Sequence, residues 1–546
     1  MIMIDTPESA STVASGPSVD TVDVVIVGAG FAGLYALYKM RQCGFSTRVF
    51  EAGEDVGGTW YWNRYPGCRC DVESIHYSYQ FDEGLQQDWV WTERYATQPE
   101  ILSYIQHVAD RFDLRKDIDF NTRVTAATWQ DQEACWLVET GSGKKVRARF
   151  CIMASGPLSM PNKPEFPGLG TYKGDTYHPG LWPHEGVDFT GKRVAIIGTG
   201  SSAIQAIPLI AEQAAHLTVF QRTANYAIPA ANRPLEPGEL DAVKTDYPAL
   251  RAKGKLYPTT IPADPAGPSA LEVSEEERER IFDEWWQTKG LMFQATFADL
   301  MFNDDANALV SDFVRRKIQS IVDDPDIAAI LAPKNSFGCK RMCVDTDYYK
   351  TFNRDNVTLV DVSEVSIDRI ARDGIVIGDT TYEADAIIFA TGYDAMTGAL
   401  TKMDIRGKNG LSLRDKWHEG PASYLGLAIH GFPNMFTING PGSPSALVSM
   451  VTGAEHHVDW IADCMTHLQN TCSHSIEAGK PAEDAWVVHN REVGAASLRS
   501  ACDSWYLGAN IPGKPRVFMP YLGGFVAYDE KCKQVVHDGY EGFEIA

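Results

Sequence analysis

The chain has 546 residues, enough for about two or three domains, and its 44% hydrophobic and 22% charged residues are typical of a globular protein. Its net charge of −23 argues against a nucleic-acid-binding protein, which needs a basic face. The start of the chain lacks the basic segment and apolar core of a signal peptide, and no apolar run reaches the length of a membrane span. We therefore expect a cytoplasmic monomer or small oligomer without a membrane span, beginning with a flexible tail over residues 1–21.

The first chemical signal along the chain is a strand, a glycine-rich turn and a helix. Residues 23–27 are almost all apolar, which predicts a strand buried on both faces of a parallel sheet. The spacing of Gly28, Gly30 and Gly33 then allows a tight turn, close approach to a pyrophosphate, and packing of helix on strand. Glu51 ends the next predicted strand, where a carboxylate binds ribose hydroxyls. These features predict a dinucleotide site rather than a glycine-rich structural turn.

A dense aromatic and glycine-bearing loop occupies residues 57–71. Loops of this composition can wrap flat ring cofactors, although the same composition also fits a packed surface loop. Cys68 and Cys70 form C-x-C without a second pair nearby, so we predict no zinc site. Predicted strands then close near residue 156, and the Pro- and Gly-rich stretch that follows is typical of a linker.

The strand, turn and helix pattern occurs a second time, around G-T-G-S-S-A. Gly198 and Gly200 take the first two glycine positions and Ala203 takes the third, a permitted variant. Arg222 follows the next predicted strand, at the place that Glu51 has in the first site. A guanidinium binds a ribose 2′-phosphate that a carboxylate would repel, which favours NADPH over NADH, although Arg222 also fits a solvated surface position. The two sites together predict FAD and NADPH as cofactors.

The glycine and strand signals stop between residues 232 and 332. Residues 273–298 and 305–322 have helical periodicity, and Ser274 begins a capping box that Glu277 completes. We expect this part of the chain to be a helical insertion that covers a cleft.

The cysteines and histidines form neither a metal-binding nor a disulfide pattern. The 11 cysteines are scattered without paired spacing, which predicts reduced thiols. His456 and His457 lie on a predicted helix without a third ligand at metal spacing. We therefore expect both histidines to be structural and predict no metal site.

Three longer patterns follow one another along the chain. Residues 58–71 have the pattern G-x-W-x-x-x-x-Y-P-G-x-x-x-D. Between the two nucleotide turns, Y-x-G-x-x-x-H-x-x-x-W-P contains Gly174, His178 and Trp182. Residues 385–392 then have the pattern D-x-x-x-x-A-T-G.

With these patterns the chain resembles the type I Baeyer–Villiger monooxygenases, which are class B flavoprotein monooxygenases. It is similar to phenylacetone, cyclohexanone and steroid ketone monooxygenases from about residue 22 onward, with Tyr172 where the family fingerprint usually has phenylalanine. The resemblance implies an α/β fold with two Rossmann-like dinucleotide-binding domains and a helical insertion. It also implies that NADPH and O₂ are used to convert cyclic, aryl or bulky ketones into esters or lactones through a C4a-peroxyflavin.

The resemblance also implies how the chain is divided. Between the tail and the helical insertion, we expect the first part of the FAD-binding domain over residues 22–156, the fingerprint linker over residues 157–189 and the first part of the NADP-binding domain over residues 190–231. After the insertion over residues 232–332, we expect the second part of the NADP-binding domain over residues 333–384 and the second part of the FAD-binding domain over residues 385–546.

The resemblance implies site residues as well. Arg341 is expected to stabilise the anionic oxygen nucleophile and polarise the ketone, with Asp71 positioning it. Lys340 and Arg222 are expected at the NADP 2′-phosphate, and Trp505 over NADP. The cofactor-binding residues are expected to be Gly28, Gly30, Gly33, Glu51, Gly58, Thr59, Trp60, Asp71, Val124, Gly198, Gly200, Ser201, Ser202, Arg222, Thr223, Lys340 and Trp505. The substrate-lining residues are expected to be Leu158, Ser445, Ala446 and Met450.

Gly174, His178 and Trp182 are expected to couple the domains, although a histidine in a signature also suggests a general base. Three other functions stay open. An amine or sulfide oxygenase of the same fold tends to have another aromatic residue in place of Trp182. A disulfide reductase would need a C-x-x-C or C-x-x-x-x-C pair after the first nucleotide turn, which this chain lacks. A non-catalytic flavin redox sensor would have little need for a complete NADPH site.

Overall fold

A computed structural model describes residues 19–546. Most of the expected tail, residues 1–18, lies outside the described residues, and the first strand begins at Asp20, two residues before the expected domain start. The elements up to the linker begin with the strand, helix and strand that a nucleotide-binding unit requires. They are β1 (Asp20–Val27), α1 (Phe31–Gln42), β2 (Thr47–Phe50), α2 (Thr59–Trp62), α3 (Glu83–Asp88), α4 (Gln98–Arg111), β3 (Ile118–Asp119), β4 (Val124–Gln130), β5 (Cys135–Thr140) and β6 (Lys145–Met153).

The middle of the chain adds a second strand, turn and helix unit and then a run of helices. These elements are β7 (Asp175–Tyr177), β8 (Arg193–Ile197), α5 (Ser201–Gln213), β9 (His216–Gln221), β10 (Ala227–Pro229), α6 (Glu239–Thr245), α7 (Tyr247–Gly254), α8 (Glu275–Thr288), α9 (Asp304–Ile321) and α10 (Pro325–Leu331).

The last part of the chain adds further strands and contains three long helices near its end. Its elements are β11 (Cys343–Asp345), α11 (Tyr348–Thr351), β12 (Val357–Asp361), β13 (Arg369–Ala371), β14 (Gly374–Ile377), β15 (Thr380–Glu383), β16 (Ala386–Phe389), α12 (Gly398–Thr401), β17 (Asp404–Arg406), α13 (Leu413–Lys416), β18 (Met435–Thr437), α14 (Met450–Asn470), β19 (Ile476–Ala478), α15 (Lys480–Ala495), α16 (Gly524–His537) and β20 (Phe543–Ile545). Over residues 19–546, no helix combines the length and the apolarity that crossing a membrane requires.

The first sheet has eight strands, in the order β17-β4-β5-β6-β1-β2-β3, with β18 paired to β6. β1 lies parallel between β2 and β6, and Val24, Val25 and Ile26 are fully buried. Burial on both faces matches the continuous apolar run of this strand. The turn that leads from β1 to α1 therefore lies at the carboxyl end of a central strand, where open parallel sheets bind nucleotides.

The second sheet has five parallel strands, in the order β12-β9-β8-β16-β7. Its central strand β8 leads into the second glycine-rich turn. β16 pairs with β8 and β7, so it belongs to this sheet although the expected boundary assigned residues from 385 onward to the FAD-binding domain. An apolar buried strand carries no local mark of the sheet it joins, and only the long-range pairing of Ala386 with Val194 decides it.

The insertion is built from helices packed around aromatic side chains. Phe282 is fully buried and lies with its ring centroid 5.2 Å from that of Phe313. Ser274 Oγ accepts a hydrogen bond from the backbone N–H of Glu277 at 3.3 Å, as the capping box predicts. α8 ends at Thr288, ten residues before the predicted end, and a short 3₁₀ turn follows because Gly290 has a φ of +49°.

Candidate active site

The first glycine-rich turn lies close to neighbouring backbone. Gly28 has a φ of +103°, and a Cβ there would lie 2.7 Å from the carbonyl oxygen of Ala154. A Cβ on Gly58 would lie 2.9 Å from Gly30 Cα. Glu51 is 5% exposed, and its Oε2 accepts a hydrogen bond at 2.7 Å from a backbone N–H of the turn. A turn that side chains would close, with a carboxylate at the strand end, fits the pyrophosphate and ribose of FAD.

The other residues expected at the first site surround this turn. Gly33 packs α1 so closely that a Cβ would collide with the backbone of the turn. Thr59 is exposed, and Trp60 is buried with its Nε1 donating to the Tyr77 hydroxyl at 3.3 Å. The side chain of Val124 lies in the apolar core of the first sheet. The structure therefore brings Thr59 and Trp60 beside Gly58, while the Val124 side chain belongs to the core.

The second glycine-rich turn has open space above it. No atom lies within 4 Å of the position that a Cβ on Gly200 would take. α5 begins at Ser201 and has no side-chain cap on its N-terminal residue Gly200. The first N–H groups of this helix, including those of Ser201 and Ser202, are therefore available to an anion. This arrangement fits the pyrophosphate of a second dinucleotide.

Two cations lie together beyond the second turn. Arg222 and Thr223 follow β9 directly and are exposed. Burial and the charge of Arg222 together lower the pKa of Lys340, while the charge of Asp503 opposes this effect. Neither cation has a carboxylate within 4.0 Å among the side chains that the structure describes. Two neighbouring cations without bound counterions fit a ribose 2′-phosphate.

Arg341 and Asp71 form an ion pair between the two halves of the site. Asp71 Oδ2 accepts from Arg341 Nε at 2.9 Å and lies 2.9 Å from Nη2. Arg341 Nη1 donates to the carbonyl oxygen of Ala446 at 2.7 Å. Burial is the largest single influence and works to lower the pKa of Arg341, but Asp71 and Tyr506 together outweigh it, and the pKa of this guanidinium is raised. The site therefore holds a permanent cation whose orientation is fixed on two sides.

The expected substrate-lining residues lie around this cation. Ser445 is buried with a φ of +43°, a conformation that residues with side chains rarely adopt, and its Oγ donates to the Asn439 carbonyl at 3.0 Å. Ala446 is the residue that accepts from Arg341, and Met450 packs against the same apolar cluster. This strained segment places a carbonyl oxygen on the guanidinium.

Apolar side chains from other parts of the chain complete the surroundings. Leu158 and Trp505 both pack against a cluster that contains Ala395, Met396 and Met519. Met396 was not recognised from the sequence, because it lies just beyond the A-T-G pattern in a stretch without a signature of its own.

A disulfide joins Cys339 to Cys502, which corrects the expectation that all cysteines are reduced. The two residues are 163 positions apart, so no local spacing could reveal the pair, and the other nine cysteines are free. Cys339 directly precedes Lys340 and Arg341, and Cys502 lies three residues before Trp505. The bond therefore ties the segment that carries both site cations to the C-terminal loop.

The C-terminal loop is held on its other side as well. Lys514 pairs with Asp394 at 2.7 Å and donates to the Ala395 carbonyl at 2.7 Å. Asn510 Nδ2 donates to the Tyr393 carbonyl at 2.7 Å. The loop that carries Trp505 is therefore clamped to the segment that follows the A-T-G pattern.

Comparisons with known proteins address the same site and fold. Residues 25–238 match the family model described as pyridine nucleotide-disulphide oxidoreductase. A Baeyer–Villiger monooxygenase of Pseudooceanicola batsensis is 41% identical over 95% of both chains. The chain belongs to the Baeyer–Villiger monooxygenases. This confirms the family, the α/β fold and the oxidoreductase class that the three patterns predict.

The names of two further relatives of this chain state different substrates. The structure described as oxidised steroid monooxygenase bound to NADP is 50% identical, with a TM-score of 0.92, and covers 96% of this chain and 99% of its own. A phenazine N-monooxygenase of Lysobacter antibioticus is 37% identical over 95% of this chain and 96% of its own. Comparable similarity therefore includes a relative named for oxidation at nitrogen.

The fingerprint of this Baeyer–Villiger monooxygenase lies against both nucleotide-binding units. β7 contains the residues just before His178 and forms the edge of the second sheet. His178 Nδ1 accepts from the N–H of Gly180 at 3.0 Å, and its ring meets that of Tyr393 edge-on at 5.8 Å. The Tyr393 hydroxyl donates to Asn63, which directly follows α2. The linker thus contacts the first nucleotide-binding unit through Tyr393 and also through His184, whose ring centroid lies 4.8 Å from that of Tyr61.

The environment of His178 does not suit a general base. The side chain is 5% exposed, and burial lowers its pKa to about 4. Trp182 is also buried and packs with Tyr177 and Phe189 at ring centroid distances of 5.5 and 6.1 Å. Gly174 is packed so tightly that a Cβ would collide with the Asp385 carbonyl and the Tyr172 ring. All three fingerprint residues are therefore closely packed, Gly174 and His178 against residues outside the linker.

Three residues that interact with the site or the fingerprint were missed by sequence reasoning. Tyr506 and Arg499 lie near Arg341, and Tyr393 links the fingerprint to α2. Tyr506 follows Trp505 directly, and Tyr393 follows the A-T-G pattern, so adjacency to a known residue was the available signal. No pattern in the sequence marks Arg499.

Proposed function

We propose that this chain converts ketones into esters or lactones, using NADPH and O₂, with FAD and NADP⁺ as its bound cofactors. One oxygen atom of O₂ enters the product beside the carbonyl carbon, and the other leaves as water with the electrons of NADPH. When bound, FAD supplies the redox chemistry that links NADPH oxidation to the activation of oxygen. The residues of this chain bind the cofactors, orient the reacting groups and shield them from water.

The observation that carries this proposal is the geometry of Arg341. Its guanidinium has five N–H donors, of which Asp71 and the Ala446 carbonyl take three. The remaining donors are available to an oxygen atom that carries developing negative charge. The Arg341 cation, fixed at this position, stabilises the anionic nucleophile and polarises the ketone, because its N–H donors need no reorganisation during the reaction. Asp71 holds the cation and keeps it charged.

Nucleotide choice rests on the cation pair. Arg222 and Lys340 bind the 2′-phosphate of NADPH, since two cations favour a dianion that NADH lacks. Gly200 and the first turn of α5 receive the pyrophosphate. On the FAD side, the same role falls to Gly28, Gly30 and Gly58, with Glu51 at the ribose.

The surroundings of Arg341 favour bulky, apolar ketones, including cyclic and aryl ketones. Leu158, Met396, Met519 and Trp505 form apolar walls, and methionine adapts its shape to irregular ligands. The relative named as a steroid monooxygenase shares 50% of its residues, which supports a polycyclic substrate class. Ser445, Ala446 and Met450 line the opposite side.

His178 acts in domain coupling rather than in proton transfer. Its pKa of about 4 leaves it neutral at physiological pH, and its Nδ1 is taken by a backbone N–H. The contact from His178 through Tyr393 to Asn63 gives the linker a route to the FAD side. We also propose a cytoplasmic location, which the nine free cysteines support. We further propose that the protein is a monomer or a small oligomer.

The test uses the purified yellow protein, NADPH, ¹⁸O₂ and a ketone panel of cyclic, aryl and polycyclic members. The expected product is an ester or lactone that carries one ¹⁸O atom, with about one NADPH consumed for each product. NADPH oxidation that yields only hydrogen peroxide with every ketone would overturn the proposal.

A second candidate function is oxygen transfer to nitrogen or sulfur. The relative named phenazine N-monooxygenase favours it, because that protein is similar over nearly the whole chain. Amines, N-heterocycles and sulfides are therefore added to the panel as separate reactions. Formation of N-oxides or S-oxides without any ester would move the assignment to this second function.

A further inference from the structure

Tyr506 has a buried hydroxyl without a hydrogen-bond partner among residues 19–546. Its side chain is fully buried. A buried hydroxyl without a partner lowers stability, and such groups in native proteins have a structural or functional reason. The backbone of this residue is firmly placed, since the Met519 N–H donates to the Tyr506 carbonyl at 2.9 Å. The unpaired hydroxyl is therefore a feature of a fixed residue.

The Tyr506 side chain packs beside the segment that Arg341 contacts. The Tyr506 ring packs on that of Trp505, with centroids 4.2 Å apart, and shares one apolar cluster with Ala446 and Phe518. The Ala446 carbonyl is itself a partner of Arg341. After burial and the charge of Asp71, Tyr506 is the next influence on Arg341, and it raises the pKa of that guanidinium.

The donors of Arg341 leave room for one more partner. Asp71 engages Nε and one N–H of Nη2, and the Ala446 carbonyl engages one N–H of Nη1. One N–H on each terminal nitrogen remains, because the guanidinium has five donors in a fixed plane. If both of these N–H groups stayed free, the Nη1 end of the guanidinium would be held only by its hydrogen bond to the Ala446 carbonyl.

A second guanidinium nearby, that of Arg499, makes this end of the Arg341 side chain harder to fix in one position. The Arg499 Cζ lies 6.0 Å from the centroid of the Tyr506 ring, and Arg499 donates to the Gly338 carbonyl at 3.2 Å. Burial and the charge of Arg341 lower the pKa of Arg499, while Tyr506 opposes them. The two cations repel each other, so a neutral acceptor between them stabilises the position of Arg341.

We propose that Tyr506 is a positioning residue whose hydroxyl oxygen accepts one of the two remaining N–H groups of Arg341 and thereby aims the other at the reacting oxygen. The bond also joins Arg341 to the loop that carries Trp505. The consequence for oxygen transfer rests on the proposed function, whereas the hydrogen bond itself does not.

The first test measures the bond in the full-length protein as purified, with FAD bound. Phenylglyoxal modifies accessible guanidinium groups, and peptide mass mapping gives the rate at Arg341, whose side chain is 26% exposed. Tyr506→Phe removes only the oxygen atom, and we expect modification of Arg341 to become about fivefold faster, as for loss of one hydrogen bond. Tyr528→Phe is the matched control, because its buried hydroxyl already has partners, donating to the Leu425 carbonyl at 2.6 Å and contacting His457 Nε2 at 2.9 Å.

The second test uses the holoenzyme and a ketone that the wild-type chain oxidises. We expect Tyr506→Phe to oxidise NADPH at nearly the wild-type rate but to form about tenfold less ester per NADPH, with hydrogen peroxide making up the difference, as for loss of a hydrogen bond to a charged group. Tyr506→His, which keeps a polar ring, is expected to lie between the two. Tyr528→Phe is expected to lower the melting temperature and leave the ester yield unchanged.

The outcomes distinguish the positioning role of Tyr506 from the proposed function of the chain. Equal modification rates at Arg341 in the wild type and Tyr506→Phe, together with equal ester yield, would falsify the positioning role. A wild-type chain that forms no ester, yet shows the faster modification in Tyr506→Phe, would overturn the proposed function and leave the hydrogen bond established. If Tyr506→Phe does not fold, Tyr506→His decides by the same two measurements.

Discussion

Asp71 Oδ2 binds both Nε and Nη2 of Arg341, although the two residues are 270 positions apart in the sequence. One carboxylate oxygen thus holds the side of the guanidinium that faces away from Ala446. The pair joins the aromatic loop after the first nucleotide turn to the segment after the helical insertion. Loss of either partner leaves a charge in a largely buried site, and such a change is costly.

Asp71→Asn is expected to impair oxygen transfer more than flavin binding. The neutral amide keeps an acceptor but removes the charge, so Arg341 loses charge-assisted hydrogen bonds worth about 1.5–3 kcal/mol, or roughly 10- to 100-fold in ester formation. FAD content is expected to stay normal. The measurement is ester formed per NADPH oxidised. Glu73→Gln is the control, because Glu73 pairs with Arg94 at 2.6 Å in the same loop, and an equal loss there would contradict a specific role for Asp71.

Arg222→Ala and Lys340→Ala are expected to weaken the preference for NADPH. Each removes one charge-assisted contact to the 2′-phosphate, so KM for NADPH rises roughly 10- to 100-fold while KM for NADH changes little. Steady-state kinetics with both nucleotides check this. Lys350→Ala, which removes an exposed lysine elsewhere, is expected to change neither value. A parallel rise in KM for both nucleotides would indicate that the cations do not read the phosphate.

The same pair has a consequence for pH. Burial and the charge of Arg222 lower the pKa of Lys340 from 10.5, so Lys340 loses its proton, and NADP⁺ affinity falls, at a lower pH than for an ordinary lysine. Arg222→Ala removes one of the two causes and moves this alkaline limb to higher pH, although affinity is lower throughout. The measurement is the Kd of NADP⁺ between pH 7 and 10, and a limb at the same pH in both proteins would contradict the pairing.

His178→Gln is expected to make the protein less sensitive to acid. Folded His178 has a pKa of about 4, against 6.5 for an ordinary histidine, so the unfolded chain takes up a proton first as the pH falls. Stability is therefore full above pH 6.5 and is lost between pH 6.5 and 4, by at most about 3 kcal/mol.

Glutamine keeps an acceptor for Gly180 but does not titrate, so the difference in melting temperature between variant and wild type should narrow as the pH falls from 7 to 4.5. His418→Gln, at an exposed side chain, serves as control. Loss of an ionisation near pH 6–7 from the rate profile of His178→Gln would instead support a general base.

The disulfide predicts a thiol count. A thiol reagent in denaturant should find nine free thiols before reduction and 11 after, since Cys339 and Cys502 account for the difference. The double variant Cys339→Ser with Cys502→Ser is expected to lower the free energy of unfolding by about 2–4 kcal/mol, because it releases a long loop of the unfolded chain. Cys472→Ser, at an exposed free cysteine, should leave stability unchanged, and a count of 11 before reduction would refute the bond.

Local patterns are readable from the sequence because their physics is local. The turn at Gly28 and the capping box at Ser274 depend on neighbours within a few positions, and the structure bears both out. The family signatures extend this to Arg341 and Asp71, whose contact no spacing could reveal.

The parts that could not be predicted depend on contacts between distant residues. β16 joins the second sheet through pairing with β8, and the disulfide spans 163 positions. Tyr506 matters only because the C-terminal loop returns to Arg341, and nothing in its immediate neighbours encodes that return. Long-range pairing follows from the whole fold, so composition and periodicity carry no record of it.

The bridge between Cys339 and Cys502 also bears on how measurements of this protein are compared. Protein treated with reductant would be a mixture of molecules with and without this disulfide, and the two forms exchange over minutes to hours rather than within a turnover. Progress curves would then be sums of two populations, whose amplitudes depend on the reductant used during purification while their rate constants do not. Two laboratories could report different ester yields for one sequence and both be right, because each would have sampled a different mixture.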